Sequence, residues 1–422
     1  MTLQAVEGAA GCGKTFRLME IVEQSVVQTP LLDGQRILAL TFMHGARRRL
    51  TGRLRSVPGI AGRVECCTVD AFAWRITRRW RGLAAAQGIP LAAENDFDAV
   101  CDTAGALLEH PQVGAWVAQS FPVVVVDEGQ DLHPQRLRML RAIAATATAL
   151  VAADEFQCLD PDLRPNPLIE WLNGANGQRE TLVQVRRTNV AGLLNAASSI
   201  RSGQPPAASG QTFQIMVGSG IPLAATMLSN AIGWHPGTAD VAIITPSRTP
   251  FVQQVIERSG TTASAQGNGP YPILWEGSDQ NESALITGNL NLDLTVSSAT
   301  AIAALHQLAP SGPVRQTIAW IERQRDTVGR TDFTRVEIEG VILRYVTQRR
   351  QYGGEGSHRY KAMTIHQAKN REFDGVVVLW PFQVPTDAEQ RRRLLYNAVT
   401  RARRWCTVIL QGQAIRNALP FA

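Results

Sequence analysis

The sequence has few lysines, few charged residues and no long apolar run. Only three of its 42 basic residues are lysines, and charged residues make up 18% of the 422-residue chain. A charged fraction below the usual value of about 25% excludes a disordered or highly charged chain. No apolar run approaches the roughly 20 residues that cross a bilayer, and no signal peptide opens the sequence. We therefore expect a globular, cytoplasmic protein that does not enter a membrane.

The cysteine pattern and the net charge exclude further classes of protein. The six cysteines form no C-x-x-C pair and have no histidine at zinc-binding spacing, so a zinc site is not expected. Unpaired thiols are typical of a reducing compartment rather than of a disulfide scaffold. The net charge of +6 permits a polyanionic partner without requiring one.

Short apolar runs alternate with helical patterns along most of the chain, which is typical of a parallel α/β sheet. Strands are expected at 3–6, 36–41, 64–69, 123–126, 149–152, 182–185, 241–245, 361–365, 376–379 and 407–410, and a helix is expected at 388–403. The pattern becomes helical near 80–120 and is interrupted over 261–360. It therefore predicts a first domain at 1–180, a second at 181–260 with 361–422, and an inserted accessory region at 261–360.

A glycine-rich segment follows the first predicted strand and precedes a helical pattern. It matches G-x-x-x-x-G-K-[ST] and reads Gly8-Ala9-Ala10-Gly11-Cys12-Gly13-Lys14-Thr15. Glycines allow backbone N–H groups to close around phosphate oxygens, and the helix N-terminus adds its dipole. Lys14 supplies a positive charge for the β- and γ-phosphates, and Thr15 offers a hydroxyl to Mg²⁺. Because lysine is so rare here, its presence at this position favours a phosphate-binding loop over a flexible turn.

Two neighbouring carboxylates, Asp127 and Glu128, follow the apolar strand predicted at 123–126. The carboxyl ends of parallel strands face the ligand crevice of a sheet. There Asp127 can hold Mg²⁺, and Glu128 can polarise the water that attacks the γ-phosphate. The alternative for this pair alone is an acidic turn that caps a helix, but the phosphate loop favours the catalytic role. Together the two motifs predict a nucleoside triphosphatase.

Six further segments with polar residues occur in a set order along the chain. They are residues 37–47, 68–72, 152–157, 184–188, 364–373 and 396–402. With the two motifs above, this ordered set resembles the UvrD/Rep-like group of superfamily-1 DNA helicases, from Gly8 to Ala402 but not over 261–360. The resemblance implies an α/β fold of two RecA-like parallel-sheet motor domains with small, mostly helical insertions.

The resemblance also implies roles for individual residues. Gln157 would sense the γ-phosphate, and Arg187 and Arg401 would reach it from the second motor domain as arginine fingers. Glu372 would contact the ribose of the nucleotide. The residues that would line a track for single-stranded DNA are Thr41, Phe42, Thr68, Thr364 and His366. Phe42 is the candidate among them for base stacking.

Several positions depart from the family pattern. Arg186 occupies the position at which the family has an aromatic residue that stacks on adenine. Only seven residues precede Gly8, so we expect the family's adenine-reading glutamine segment to be missing. No aromatic residue follows Gln157 to stack on DNA bases, and Asn370 replaces a glycine. The accessory regions are also small. These departures favour ATP hydrolysis over processive unwinding as the expected activity.

The sequence thus predicts an ATP- and Mg²⁺-dependent translocase or helicase that moves 3′ to 5′ on single-stranded or partly duplex DNA. An alternative is a regulatory or sensing NTPase subunit of a DNA-repair or genome-defence complex, with a protein partner such as a nuclease. A third hypothesis, a phosphotransferase, is opposed by the two separated arginine motifs. For single residues the alternatives are structural: Arg187 and Arg401 in surface ion pairs, Phe42 in the core, and His366 as an ordinary histidine.

Overall fold

The computed structural model of the protein describes residues 2–42, 44–60, 62–92, 96–276, 279–352 and 359–422. The chain folds into two units, each of which makes most of its residue contacts within itself. One comprises Met1–Ile273 and Arg359–Ala422, and the other comprises Leu274–His358. Within the described ranges, no helix is both long enough and apolar enough to cross a membrane.

Strands and helices alternate along the chain. The strands are β1 Thr2–Gly8, β2 Ile37–Thr41, β3 Val64–Thr68, β4 Val123–Val126, β5 Thr148–Ala153, β6 Gln178–Leu182, β7 Phe213–Val217, β8 Val241–Thr245, β9 Leu274–Trp275, β10 Thr295–Ser297, β11 Asp332–Thr334, β12 Tyr360–Thr364, β13 Phe373–Trp380 and β14 Ala402–Leu410. The helices are α1 Lys14–Gln28, α2 His44–Arg55, α3 Val69–Arg79, α4 Arg81–Ala86, α5 Phe97–Leu108, α6 Pro111–Ser120, α7 Pro134–Ala144, α8 Pro167–Gly174, α9 Ala191–Ser202, α10 Ile221–Gly233, α11 Pro250–Thr261, α12 Asp279–Thr287, α13 Ser298–His306, α14 Gly312–Val328, α15 Arg335–Tyr352, α16 Ile365–Ala368, α17 Ala388–Val399 and α18 Gln413–Arg416.

The first sheet has the strand order β3-β2-β4-β5-β1-β6, and its described pairings are all parallel. Successive residues of β2 and β4 pack into two different hydrophobic clusters, one on each face of the sheet. Burial on both faces explains why these strands are unbroken apolar runs in the sequence. Since the strands are parallel, the carboxyl ends of β1 and β4 lie at the same edge of the sheet.

The second sheet of this unit is built from two separate stretches of chain. Its strands in the first unit follow the order β7-β14-β13-β8-β12 and pair in parallel. Helices α9, α10 and α11 connect the early strands, and α16 and α17 connect the late ones. The predicted fold class, two parallel α/β sheets with mostly helical insertions, is confirmed.

Three elements differ from the sequence-based expectation. The strand expected at 182–185 lies at Gln178–Leu182 and pairs with β1, so it completes the first sheet. This strand lies at the edge of the sheet and is polar. It therefore has no apolar run from which its position could be predicted. Strand β7 was not predicted, and its half-buried residues likewise form an edge. The helix expected as far as residue 403 ends at Val399, because β14 begins at Ala402.

The second unit has a hydrophobic core of its own. Its strands β10 and β11 pair antiparallel, with Val296 opposite Phe333. Around them lie helices α12 to α15. The buried residues of the core are Leu290, Leu292, Val296, Ala301, Leu305, Val314, Ile318, Ile321, Phe333, Ile338, Ile342 and Val346. This unit is therefore a small, mostly helical module.

Candidate nucleotide site

The glycine-rich segment forms the turn between β1 and α1. Gly11 and Gly13 have positive φ angles of 79° and 85°, a backbone conformation that favours glycine. A Cβ atom on Gly11 would lie 2.6 Å from the Cβ atom of Arg187, so a side chain at this position would collide with the segment above it. Lys14 is buried, and its ammonium group donates to the carbonyl oxygen of Gly8 over 2.8 Å. The turn has the strand–loop–helix geometry of a phosphate-binding loop.

Thr15 and Asp127 meet beside this loop. The hydroxyl of Thr15 donates to Oδ2 of Asp127 over 3.0 Å. Burial and the negative charge of Glu128 raise the pKa of Asp127 to about 6. A hydroxyl and a carboxylate oxygen in contact are the ligands that Mg²⁺ takes at a nucleotide site, so this pair fits the ion. Among the described residues, no group of three His, Cys, Asp or Glu side chains forms a separate metal site.

Glu128 has a strained backbone conformation. Its φ of 59° lies in the left-handed region, which costs a residue with a side chain about 1–2 kcal/mol. Burial raises the pKa of its carboxyl group, but nearby positive charges outweigh burial and lower the pKa below its usual value. These charges belong to Lys14, Lys369 and Arg401. Glu128 is therefore ionised at neutral pH, as a group that polarises water must be.

Gln130 is fully buried and connects the acidic turn to the turn after β5. Its amide nitrogen donates to Oε2 of Glu128 over 2.7 Å, and its amide oxygen accepts the backbone N–H of Asp154 over 3.0 Å. Gln157 lies in this second turn and is also buried. The side chain of Gln130, for which no role was predicted, thus holds the turns of Glu128 and Gln157 together.

Arg187 lies against the phosphate loop. Its backbone N–H donates to the carbonyl oxygen of Gly11 over 3.2 Å. Its guanidinium donates to Oε1 of Glu372 over 2.9 Å and to the carbonyl oxygen of Thr400 over 2.8 Å. Burial raises the pKa of Glu372, but the charges of Arg187 and Arg403 outweigh it and lower the pKa. Arg187 was predicted to contact the γ-phosphate and Glu372 the ribose; here the two form an ion pair beside the loop.

Arg401 lies between α17 and β14 and is 2% exposed. Its guanidinium donates to the carbonyl oxygens of Asn397 (3.0 Å) and Arg371 (3.4 Å) and to the hydroxyl of Thr400 (3.2 Å). Burial and the positive charge of Arg187 lower its pKa to about 10, so it remains protonated at neutral pH. Its burial excludes the alternative of a surface ion pair.

Two contacts join the second sheet to the first at this site. Lys369 donates to both carboxylate oxygens of Asp131, each over 2.6 Å. The hydroxyl of Tyr396 accepts the backbone N–H of Ala10, in the phosphate loop, over 2.9 Å. Neither Lys369 nor Tyr396 was predicted to have a role at the site. Two signals were present, since Lys369 is one of only three lysines and both residues lie inside predicted motifs.

Asn370 follows Lys369 at the position where the family has a glycine. Its φ is 63°, in the left-handed region. Asparagine is among the residues with a side chain that enter this region most readily. Asn370 therefore has a left-handed backbone conformation that a glycine also adopts readily.

The residues predicted to line a DNA track fall in two places. Thr41 and Thr68 are register partners at the carboxyl ends of β2 and β3, and the half-buried Phe42 packs against the core of the first sheet. Thr364 ends β12, and its hydroxyl caps α16, where His366 is exposed. Each sheet thus places its predicted residues at the carboxyl ends of its strands.

Comparisons with known proteins agree with the motifs. An AAA-domain family model matches residues 2–160, and the model of the UvrD-like helicase C-terminal domain matches residues 361–409. No curated protein matches the chain. The crystal structure of Arterivirus nonstructural protein 10 (helicase) matches at 12% identity and a TM-score of 0.39, over 96% of this chain and 59% of that chain. The chain therefore spans about three fifths of that protein, and the TM-score is too low to compare their folds.

The two family models confirm the resemblance to UvrD-like helicases of superfamily 1. The first match contains the phosphate loop and the acidic pair, and the second contains Lys369, Glu372 and Arg401. The chain accordingly contains one region similar to an AAA domain and one similar to the UvrD-like helicase C-terminal domain.

Proposed function

We propose that the protein is an ATPase that moves 3′ to 5′ along single-stranded DNA, driven by closure of two motor domains around the nucleotide. The domains are residues 1–180 and residues 181–260 with 361–422, and residues 261–360 are an accessory insertion. The observation that carries the proposal is the position of Arg187. Its backbone binds the phosphate loop, while its guanidinium binds Glu372 and Thr400, which flank strands of the second sheet.

The hydrolytic step uses residues from both domains. Lys14 and backbone N–H groups of the phosphate loop other than that of Ala10 bind the β- and γ-phosphates. Glu128 takes a proton from water as the new bond to the γ-phosphorus forms and the bond to the β-phosphate oxygen breaks. Arg187 and Arg401 stabilise the charge that develops on the γ-phosphoryl group.

Supporting residues prepare this step. Thr15 and Asp127 would hold Mg²⁺, which neutralises charge on the β- and γ-phosphate oxygens. Gln157 senses the γ-phosphate. When hydrolysis removes this phosphate, the two domains move relative to each other. Glu372, which is bound to Arg187, also contacts the ribose. Alternating closure of the domains transfers DNA binding between two groups of residues at the carboxyl ends of strands, one around Thr41 and one around Thr364.

The nucleobase contacts an unusual pair of side chains in this proposal. Phe16, directly after the loop, is 55% exposed, and the guanidinium carbon of Arg186 lies 5.9 Å from the centre of its ring. Aromatic and guanidinium planes can each stack on any base without reading its edge. We therefore expect weak discrimination between adenine and guanine.

An ATPase assay with and without single-stranded DNA tests the proposal. We expect Mg²⁺-dependent hydrolysis that single-stranded DNA stimulates several-fold, with displacement of an annealed strand only where the 3′ to 5′ direction allows it. The same assay with single-stranded RNA measures the preference for DNA. Absence of hydrolysis, or phosphate transfer to a small molecule instead of water, would contradict the proposal.

A second candidate is a regulatory NTPase whose hydrolysis controls a partner such as a nuclease. The observation that favours it concerns the segment after Gln157, which is buried under α17. Carbonyl oxygens of this segment accept hydrogen bonds from Gln390 (2.5 Å, Leu159) and Arg393 (3.5 Å, Cys158). An inward-facing segment offers no base-stacking aromatic at this place. Hydrolysis that single-stranded DNA leaves unchanged, without strand displacement, would favour this candidate.

A further inference from the structure

A buried polar cluster next to the nucleotide site has no part in the mechanism above. It consists of Asp154 after β5, Arg201 in α9 and Tyr396 in α17, and we call it the junction cluster. The side chain of Asp154 is fully inaccessible to solvent, whereas that of Arg201 is 37% exposed. The three residues come from both sheets, so the cluster spans the boundary that the nucleotide site also spans.

Hydrogen bonds connect the junction cluster to two working parts of the site. Arg201 Nη1 donates to Oδ1 of Asp154 over 2.8 Å and to the hydroxyl oxygen of Tyr396 over 3.3 Å. The same Oδ1 atom accepts the backbone N–H of Phe156 over 3.2 Å, which fixes the turn that carries Gln157. On the other side, the Tyr396 hydroxyl accepts the N–H of Ala10 from the phosphate loop.

Ring packing reinforces these bonds. The rings of Phe156 and Tyr396 meet edge to face, with centroids 5.0 Å apart. The guanidinium of Arg201 lies 5.5 Å and 5.6 Å from the same two ring centres. Ala10 and Phe156 also belong to the hydrophobic cluster of the second sheet, although they lie in turns that follow strands of the first sheet. The phosphate loop and the turn of Gln157 are thus packed against α17.

The buried carboxylate of Asp154 depends on the cation beside it. Within the described residues, its second carboxylate oxygen, Oδ2, is buried and has no hydrogen-bond partner. A buried carboxylate with an incomplete set of bonds depends on its cation, because removing one partner of a buried ion pair leaves an uncompensated charge. Arg201 is therefore the group that keeps Asp154, and with it the turn of Gln157, in place.

We propose that Asp154, Arg201 and Tyr396 are positioning residues, which set the phosphate loop and the turn of Gln157 relative to the arginine finger. Tyr396 and Arg401 are five residues apart at the end of α17, so the contact of Tyr396 with Ala10 fixes the distance of Arg401 from the loop. The inference rests on the proposed hydrolytic function. It adds residues that touch no substrate and act on its turnover through their neighbours.

The substitution Tyr396→Phe tests the inference, because it removes one hydroxyl and keeps the ring that packs on Phe156. We expect kcat for ATP to fall about three- to tenfold, the effect of one hydrogen bond, while KM changes less than about twofold. The matched control is Tyr360→Phe, a buried tyrosine of β12 that packs on Tyr271. The control should keep the kcat of the wild type.

A second pair of variants covers the case in which Tyr396→Phe fails to fold. Arg201 is partly exposed, so Arg201→Gln should fold, and we expect it to lower kcat by a similar factor with KM unchanged. Arg201→Lys keeps the charge beside Asp154 and should restore most of kcat. Wild-type kcat in both Tyr396→Phe and Arg201→Gln would overturn the inference, as would equal losses in Tyr360→Phe. A wild-type protein that hydrolyses no nucleotide would instead contradict the proposed function.

Discussion

The substitution Arg401→Met separates the catalytic contribution of this residue from its contribution to stability. Methionine is unbranched and flexible like the aliphatic part of arginine, although shorter; it carries no charge and suits a buried position. The expected result is a large loss of turnover without a large loss of stability. The two effects are separable because the charge of Arg401 is itself costly where it lies.

The cost follows from the lowered pKa. A fall from 12.5 to about 10 means that the protonated guanidinium is destabilised in the fold by about 3 kcal/mol, at about 1.4 kcal/mol per tenfold change in proton affinity. The three hydrogen bonds of the guanidinium contribute about 1 kcal/mol each and offset most of this cost. Replacement by methionine removes both terms. We expect the free energy of unfolding to change by less than about 2 kcal/mol.

Turnover should respond differently. An arginine that stabilises charge on a transferring phosphoryl group is worth up to about 10³–10⁵ in rate, so we expect kcat to fall at least about tenfold. Urea unfolding and binding of a fluorescent ATP analogue serve as controls: unfolding should stay within about 2 kcal/mol of the wild type, and binding should match it. Wild-type turnover would refute the finger role. A loss of turnover that only parallels a loss of folded protein would refute the separation of the two effects.

Three further predictions concern neighbouring residues. Glu128→Gln should bind ATP normally and lose at least about 100-fold in kcat in a steady-state assay, because the group that accepts the proton of water is gone; a mild loss would argue for another base. GTP and ATP should differ less than about tenfold in kcat/KM, and Phe16→Ala should raise KM for both, whereas strong adenine preference would contradict the stacking account. The lowered pKa of Glu372 makes its ion pair stabilising above its unfolded pKa near 4.5 and lost as the pH falls through the lower folded pKa. Acid unfolding of Glu372→Gln should accordingly be less steep below about pH 4.5 than that of the wild type, and identical curves would contradict the assignment.

The parts of the fold that the sequence predicts best are those with continuous apolar strands. Strands β4 and β5 are buried on both faces, so each leaves an unbroken run of small apolar residues. The phosphate loop is equally legible, because its glycines and lysine are required by local backbone geometry alone. The polar edge strand β6 leaves no such pattern and was misplaced.

Contacts between distant residues could not be predicted from the pattern. Tyr396 and Ala10 are 386 positions apart, and nothing in either segment indicates that a hydroxyl of one accepts a hydrogen bond from the other. The ion pair of Lys369 and Asp131 likewise depends on how the two sheets pack. Motifs identify the residues of a site, whereas its internal bonds follow from tertiary structure.

The proposed mechanism requires a nucleotide bound between two groups of residues that come from distant parts of the chain. A crystal structure with Mg²⁺, ADP and aluminium fluoride, which imitates the γ-phosphoryl group in transfer, tests this most directly. We predict that the guanidinium groups of Arg187 and Arg401 both lie within hydrogen-bond distance of the fluoride ligands, opposite Lys14. A nucleotide bound to the phosphate loop with both guanidinium groups turned away from it would contradict the account.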